Sequence, residues 1–223
     1  MWALFRNKIG HDSLRIDCPV RGVWSCMNPP GHHPDAKDFI AVDENGKPYK
    51  LNDLARHVFW SLNVTNVFAW DKEVFAPFDG VIVETVDSCE ARETLNLIRD
   101  VIAALLFAPR RKSASSAVFP GNHVVMQSDK GIYALFVYLR RGNIVVKEGQ
   151  RVEAGGVIAA IGNSGNTIQP HLHFQPMEES APFTSLPFPF VFSVCEIKAG
   201  EEWKREAFTF PGNGQVFRTI EKA

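Results

Sequence analysis

From Gly121 onward the chain is cut into short apolar runs by glycine-bearing turns, and that rhythm confines it to a few β architectures. Asn122-His123-Val124-Val125-Met126 is followed by a turn at Asp129-Lys130-Gly131, and Ile132 to Leu139 by a second at Arg140-Arg141-Gly142-Asn143. Ile144-Val145-Val146, Gln150-Arg151-Val152 and Val157 to Ile161 continue the pattern. Runs of this length, rich in β-branched and aromatic residues, bury themselves only by pairing with neighbours. Short strands at near-regular spacing predict a mainly β chain, an antiparallel sandwich or barrel-like hybrid. The proline- and phenylalanine-rich stretch after Met177 predicts one more strand near Phe190 to Val194, then a loose terminus.

The earlier half carries the same signature with interruptions. Phe39-Ile40-Ala41-Val42 reads as a strand with a hairpin turn at Asn45-Gly46, and Val74 to Val83 as two extended runs that meet in a second hairpin turn at Asp79-Gly80. A short helix is predicted near Leu51 to Trp60, with His57 in a structural role. Between 89 and 117 the period changes: Leu95, Ile98, Val101, Ile102, Leu105 and Leu106 recur at threes and fours, predicting one inserted amphipathic helix. The basic run Pro109 to Ser116 follows as an exposed loop. Trp24, Trp60 and Trp70 are assigned to packing rather than to a groove.

Composition narrows the function. With 223 residues and a formal net charge of -1, the chain has no global basic field to recruit nucleic acid or an acidic membrane. No window approaches the ~18 apolar residues of a membrane span. Met1 to Lys8 lacks the h-region and cleavage site of a secretory leader, so a soluble, cytoplasmic protein is expected. Cys18, Cys26, Cys89 and Cys195 form no Cys-x-x-Cys pair, which excludes a cysteine zinc cage and a dense disulfide framework. Free buried thiols are expected, with a Cys18–Cys26 bridge left open.

The candidate chemistry centres on Pro170-His171-Leu172-His173-Phe174. In an extended strand, His171 and His173 point one way while Leu172 and Phe174 point the other, into a core. Two imidazoles on one surface suit a metal and its water; an exposed cross-strand pair would leave the same trace. Upstream, His33 falls in a loop and Asp38 at a strand entrance, where a solvated histidine and a carboxylate bonded to backbone amides are the plainer readings.

Taken in order, these segments resemble the lysostaphin-type (LytM-like) zinc endopeptidase family, whose members cleave short peptide cross-bridges in bacterial cell walls. The resemblance runs from about His32 to Phe174. It is carried by His33 with Asp38, by Val74 to Ile82, by Gly121 to Val125, by Val146 to Val152, and by Gly162-Asn163-Ser164-Gly165 leading to Pro170 to Phe174. It implies a fold of the duplicated hybrid motif type, with a core of about 32–176, an N-terminal extension 1–31, a helical insertion of about 89–117 and a C-terminal extension 177–223, all in one domain. It also implies one zinc ion held by His33, Asp38 and His173, with His171 as general base and a cell-wall peptide as substrate. Such a ligand set leaves tetrahedral zinc one open position for water, as catalytic sites do.

Two departures qualify that assignment. The family's segment ending Tyr-Ala-His-Leu corresponds here to Phe136-Val137-Tyr138-Leu139, so Tyr138 stands where a second histidine is expected. A phenol of pKa about 10 is a poor base near neutrality, although its hydroxyl can donate to a developing oxyanion. At the first ligand, His32 adjoins His33, and Asp43 is a weaker substitute for Asp38. A catalytically degenerate wall-peptide binder, or a regulator of another hydrolase, is therefore the alternative. Phosphocarrier and biotinyl domains share the strand rhythm, but Lys147 is not placed as a biotinyl lysine would be.

Overall fold

The computed structural model describes residues 13–28, 33–50, 60–96, 98–102, 121–181 and 185–220. Strands dominate them. The first seven are β1 (Leu14–Ile16), β2 (Val23–Met27), β3 (Lys37–Ala41), β4 (Leu62–Asn63), β5 (Glu73–Phe75), β6 (Gly80–Val86) and β7 (Thr94–Leu95). The rest are β8 (Asn122–Ser128), β9 (Tyr133–Leu139), β10 (Arg151–Val152), β11 (Val157–Ala160), β12 (Leu172–Met177), β13 (Phe190–Ala199), β14 (Glu202–Thr209) and β15 (Val216–Arg218). One sheet runs in the order β1-β13-β15-β2-β3-β12-β9-β8-β6-β10, with β14 paired to β13 off that path. Its pairs are antiparallel except β1 with β13, and it does not close into a barrel. Two small sheets, β5 with β11 and β4 with β7, accompany it. The chain is mainly β, as its rhythm predicts.

Alternation along β3 and β12 separates the two faces of this sheet. Leu172 pairs with Phe39 and His173 with Asp38, so apolar residues meet on one side and polar residues on the other. On the apolar side Phe39 lies 5.9 to 6.3 Å from the rings of Phe174, Phe192, Phe210 and Phe217. A fully buried phenylalanine contributes about 1.5–3 kcal/mol, so this cluster is a principal anchor of the sheet. A smaller cluster, Val125, Leu135, Val137 and Met177, lies across the sheet, with Tyr138 packed against it.

Several sequence expectations are corrected here. Val74 to Val83 does form two strands, but they are not a hairpin: β5 pairs with β11, whereas β6 pairs with β8 and β10. Asp79-Gly80 turns a corner between sheets. A Cβ on Gly80 would stand 2.1 Å from the Gln127 carbonyl oxygen, which is why glycine sits there. Asn45-Gly46 makes a tight turn with no returning strand among the described residues; β3 pairs with β2 and β12 instead. Ile144 to Val146 is no ladder strand, although the Val145 amide donates to the Ile158 carbonyl at 3.0 Å. The tail is no loose terminus; it supplies β13, β14 and β15.

Of the helical insertion's described residues, 98–102 are helical and Leu95 belongs to β7; 97 and 103–117 lie outside the described residues. Ile98 and Ile102 are 50% and 51% exposed while Asp100 is buried, the reverse of an apolar face packed inward. The cause is the Asp100 carboxylate, which accepts from Arg92 Nη1 at 2.8 Å, Arg99 Nε at 3.0 Å and the Asn96 amide at 3.1 Å. Leu105, Leu106, the basic run 109–116, the segment 51–59 with His57, and His32 lie outside the described residues. Trp24 is buried as expected, but Trp60 is 67% exposed. All four cysteines are free, so no Cys18–Cys26 bridge forms. Among the described residues no helix is long and apolar enough to cross a membrane.

Candidate active site

The polar side of the β3–β12 pair holds a buried carboxylate between two imidazoles. Asp38 is 4% exposed. Its Oδ1 lies 2.8 Å from His173 Nδ1 and its Oδ2 lies 3.5 Å from His171 Nε2. Strand register creates the first contact, since His173 and Asp38 are directly paired. His171, just before β12, is set by its own turn. Its Nδ1 lies 2.8 Å from the Gln169 carbonyl and 3.1 Å from Thr167 Oγ1. A carbonyl can only accept, so Nδ1 carries the proton and the Nε2 lone pair faces the carboxylate. Nε2 is buried and makes no hydrogen bond. Nε2 and the Asp38 carboxylate thus face one another across 3.5 Å, nitrogen and oxygen groups of the kind that a cation or a polarised water takes.

Tyr138 is brought to this site by a β-bulge. Asn122 pairs with Leu139 and His123 with Val137, leaving Tyr138 as the extra residue of β9. Its φ is +69°, a left-handed conformation that costs a non-glycine residue about 1–2 kcal/mol. The bulge turns its ring to 4.9 Å from that of His171 and 6.1 Å from that of His173. The loop after β11 holds this arrangement: the Gly162 amide donates to the Tyr138 carbonyl at 2.9 Å, and Ser164 Oγ donates to the Leu139 carbonyl at 2.9 Å. Gly121 packs so closely that a Cβ would lie 2.7 Å from Ser164, and its φ of +80° independently favours glycine.

The sequence-derived ligands are not all gathered. Asp38 and His173 meet, and His171 joins them. His33 lies in an exposed loop, its Nδ1 3.2 Å from the Asp35 amide and 3.7 Å from the Asp35 carboxylate. Among the described residues, no group of three histidine, cysteine, aspartate or glutamate side chains is arranged to hold a metal ion. Asp43 is committed elsewhere, accepting from the Lys47 and Asn45 amides at 2.8 and 2.9 Å, which holds its carboxyl below the ordinary range. The nitrogen and oxygen donors of Asp38 and His173 are nonetheless those that zinc takes, and the bare Nε2 of His171 suits a water beside it.

Sequence reasoning missed the residues that set His171. Thr167 and Gln169 precede it by four and two positions, a spacing that could have flagged a polar turn folding back on the imidazole. It also missed His123, buried on β8, with Nδ1 3.0 Å from the Gly121 carbonyl and Nε2 3.2 Å from Glu84 Oε1.

Residues 110–184 match the family model for Peptidase family M23. That segment includes Tyr138, His171 and His173, and excludes His33 and Asp38. The chain is 35% identical over 68 residues to the peptidoglycan DD-endopeptidase ShyA of Vibrio cholerae serotype O1, covering 30% of this chain and 15% of that protein. It is 35% identical over 76 residues to the glycyl-glycine endopeptidase ALE-1 of Staphylococcus capitis, covering 33% of this chain and 21% of the relative. The matched segments thus span a small part of each. The catalytic domain of lysostaphin from Staphylococcus simulans aligns over 81% of this chain and 92% of its own length, at 17% identity and a TM-score of 0.39. The segment that carries the paired histidines is therefore the part of the chain that is similar to M23 peptidases. The resemblance to the lysostaphin-type family read from the sequence holds.

Proposed function

We propose that this chain is a zinc-dependent metallopeptidase that hydrolyses peptide bonds in short, peptidoglycan-type peptides. The observation that carries this reading is the buried Asp38 carboxylate facing both His173 Nδ1 and the unbonded Nε2 of His171. Asp38, His173 and His33 would hold one zinc ion, which when bound supplies Lewis acidity and lowers the pKa of a water to about 7. His171 Nε2 takes the proton of the attacking water, because its Nδ1 is already committed to Gln169. The Tyr138 hydroxyl donates to the carbonyl oxygen as it gains charge, and the strained bulge keeps the ring against His171. The test is zinc content of the purified chain, together with hydrolysis of cross-linked wall peptides.

A second reading is favoured by the placement of His33 against Asp35 and by Tyr138 at the expected histidine position. In it the chain binds wall peptides, or regulates another hydrolase, without cleaving. Peptide binding with no product, and gain of hydrolysis in Tyr138→His, would establish that reading over the first.

A further inference from the structure

We infer that Arg92, braced by Asp100, is a positioning residue for His171. The segment after β6 docks on the loop that leads to His171. The Arg92 amide donates to the Asn163 carbonyl at 3.2 Å, Asn163 Nδ2 donates to the Arg92 carbonyl at 3.0 Å, and Ala91 bridges Ser164. From that anchor the guanidinium divides its donors. Nη1 reaches the buried Asp100 carboxylate at 2.8 Å, and Nη2 donates to the Thr167 carbonyl. A planar fork held at both ends has little freedom to swing, so the Thr167 carbonyl is fixed relative to Asp100.

Thr167 passes the constraint on. Its Oγ1 donates to the Gln169 carbonyl at 2.6 Å and lies 3.1 Å from His171 Nδ1. The Nδ1 proton is thus shared between the Gln169 carbonyl and Thr167 Oγ1, which locks the tautomer that presents Nε2 to Asp38. Tyr49 closes the turn from the other side, its hydroxyl donating to Gln169 Oε1 at 2.7 Å. Burial pushes that phenol up to about 12, so it remains a donor at any working pH. Arg92 Nε and Asn163 Oδ1 are buried at this junction without hydrogen bonds.

This inference rests on the peptidase reading for its kinetic consequence, but the tautomer is independent of it. Arg92→Met, Arg92→Lys and Asp100→Asn are compared with the parent by ¹⁵N NMR of the His171 ring in metal-free protein, and by kcat and KM on cross-linked wall peptides. The parent should show one tautomer, protonated at Nδ1, and Arg92→Met a mixture of the two. The kcat of Arg92→Met should fall about ten- to hundred-fold with KM nearly unchanged, and Arg92→Lys should recover part of it. If Arg92→Met does not fold, Asp100→Asn carries the comparison. An unchanged tautomer in the folded variants overturns the proposal, as does a loss of kcat that follows melting temperature alone. A tautomer shift in a chain that hydrolyses nothing upholds the clamp and sinks the peptidase reading.

Discussion

The Tyr138 ring lies 4.9 Å from the His171 ring, inclined to it by 55°, at the one residue of β9 with a left-handed backbone. That conformation is kept at a cost, and the contact it creates is with the proposed base. Tyr138→Phe removes only the hydroxyl. Its fold and melting temperature should be nearly those of the parent, while hydrolysis falls about 10²- to 10³-fold. Equal activity in the phenylalanine variant would remove the hydroxyl from the mechanism.

Metal binding and proton transfer are separable at this site. Asp38→Asn and His173→Ala should each lose zinc, measured by atomic emission on dialysed protein. His171→Ala should keep its zinc and lose about 10²- to 10⁴-fold in hydrolysis, as removal of a general base does. His33→Ala is the sharper case, since its imidazole now faces Asp35. Full zinc occupancy in that variant would dismiss His33 as a ligand.

The aromatic cluster predicts where stability is concentrated. Phe39→Ala empties a fully buried position between β12 and the tail strands and should cost about 3–5 kcal/mol in denaturant unfolding. Phe208→Ala, at an exposed ring covered by Arg15, should cost far less.

Burial pushes the Cys26 thiol from its ordinary 9.0 up to about 12 and the Tyr49 phenol from 10.0 to about 12. Both groups hold their proton more tightly in the folded chain than in the unfolded one. The stability this contributes is complete below pH 9.0 and is lost as pH rises toward about 12. The denaturant midpoint should therefore fall above pH 9.0, and Cys26 should resist alkylation at neutral pH until the chain is unfolded.

The sequence made the strand class legible because alternation and glycine turns are local signals. Leu172 and Phe174 buried opposite His173 follow from a two-residue period alone. Pairing partners were not legible: Asp79-Gly80 has the chemistry of a hairpin, yet β5 and β6 belong to different sheets. The burial of Asp100 was not legible either: the threes and fours show only the apolar residues, whereas its carboxylate is held inward by Arg92 and Arg99. The Tyr138 bulge is visible only once β8 and β9 are in register.

Asp38 and Phe39 are consecutive on β3, one facing the two imidazoles and the other the aromatic cluster. Sliding that strand a single position against β12 would push the charge into oil and leave the ring in water. A misthreaded copy could not survive as a quiet, inert impostor. The same error that disarms it also marks it for unfolding.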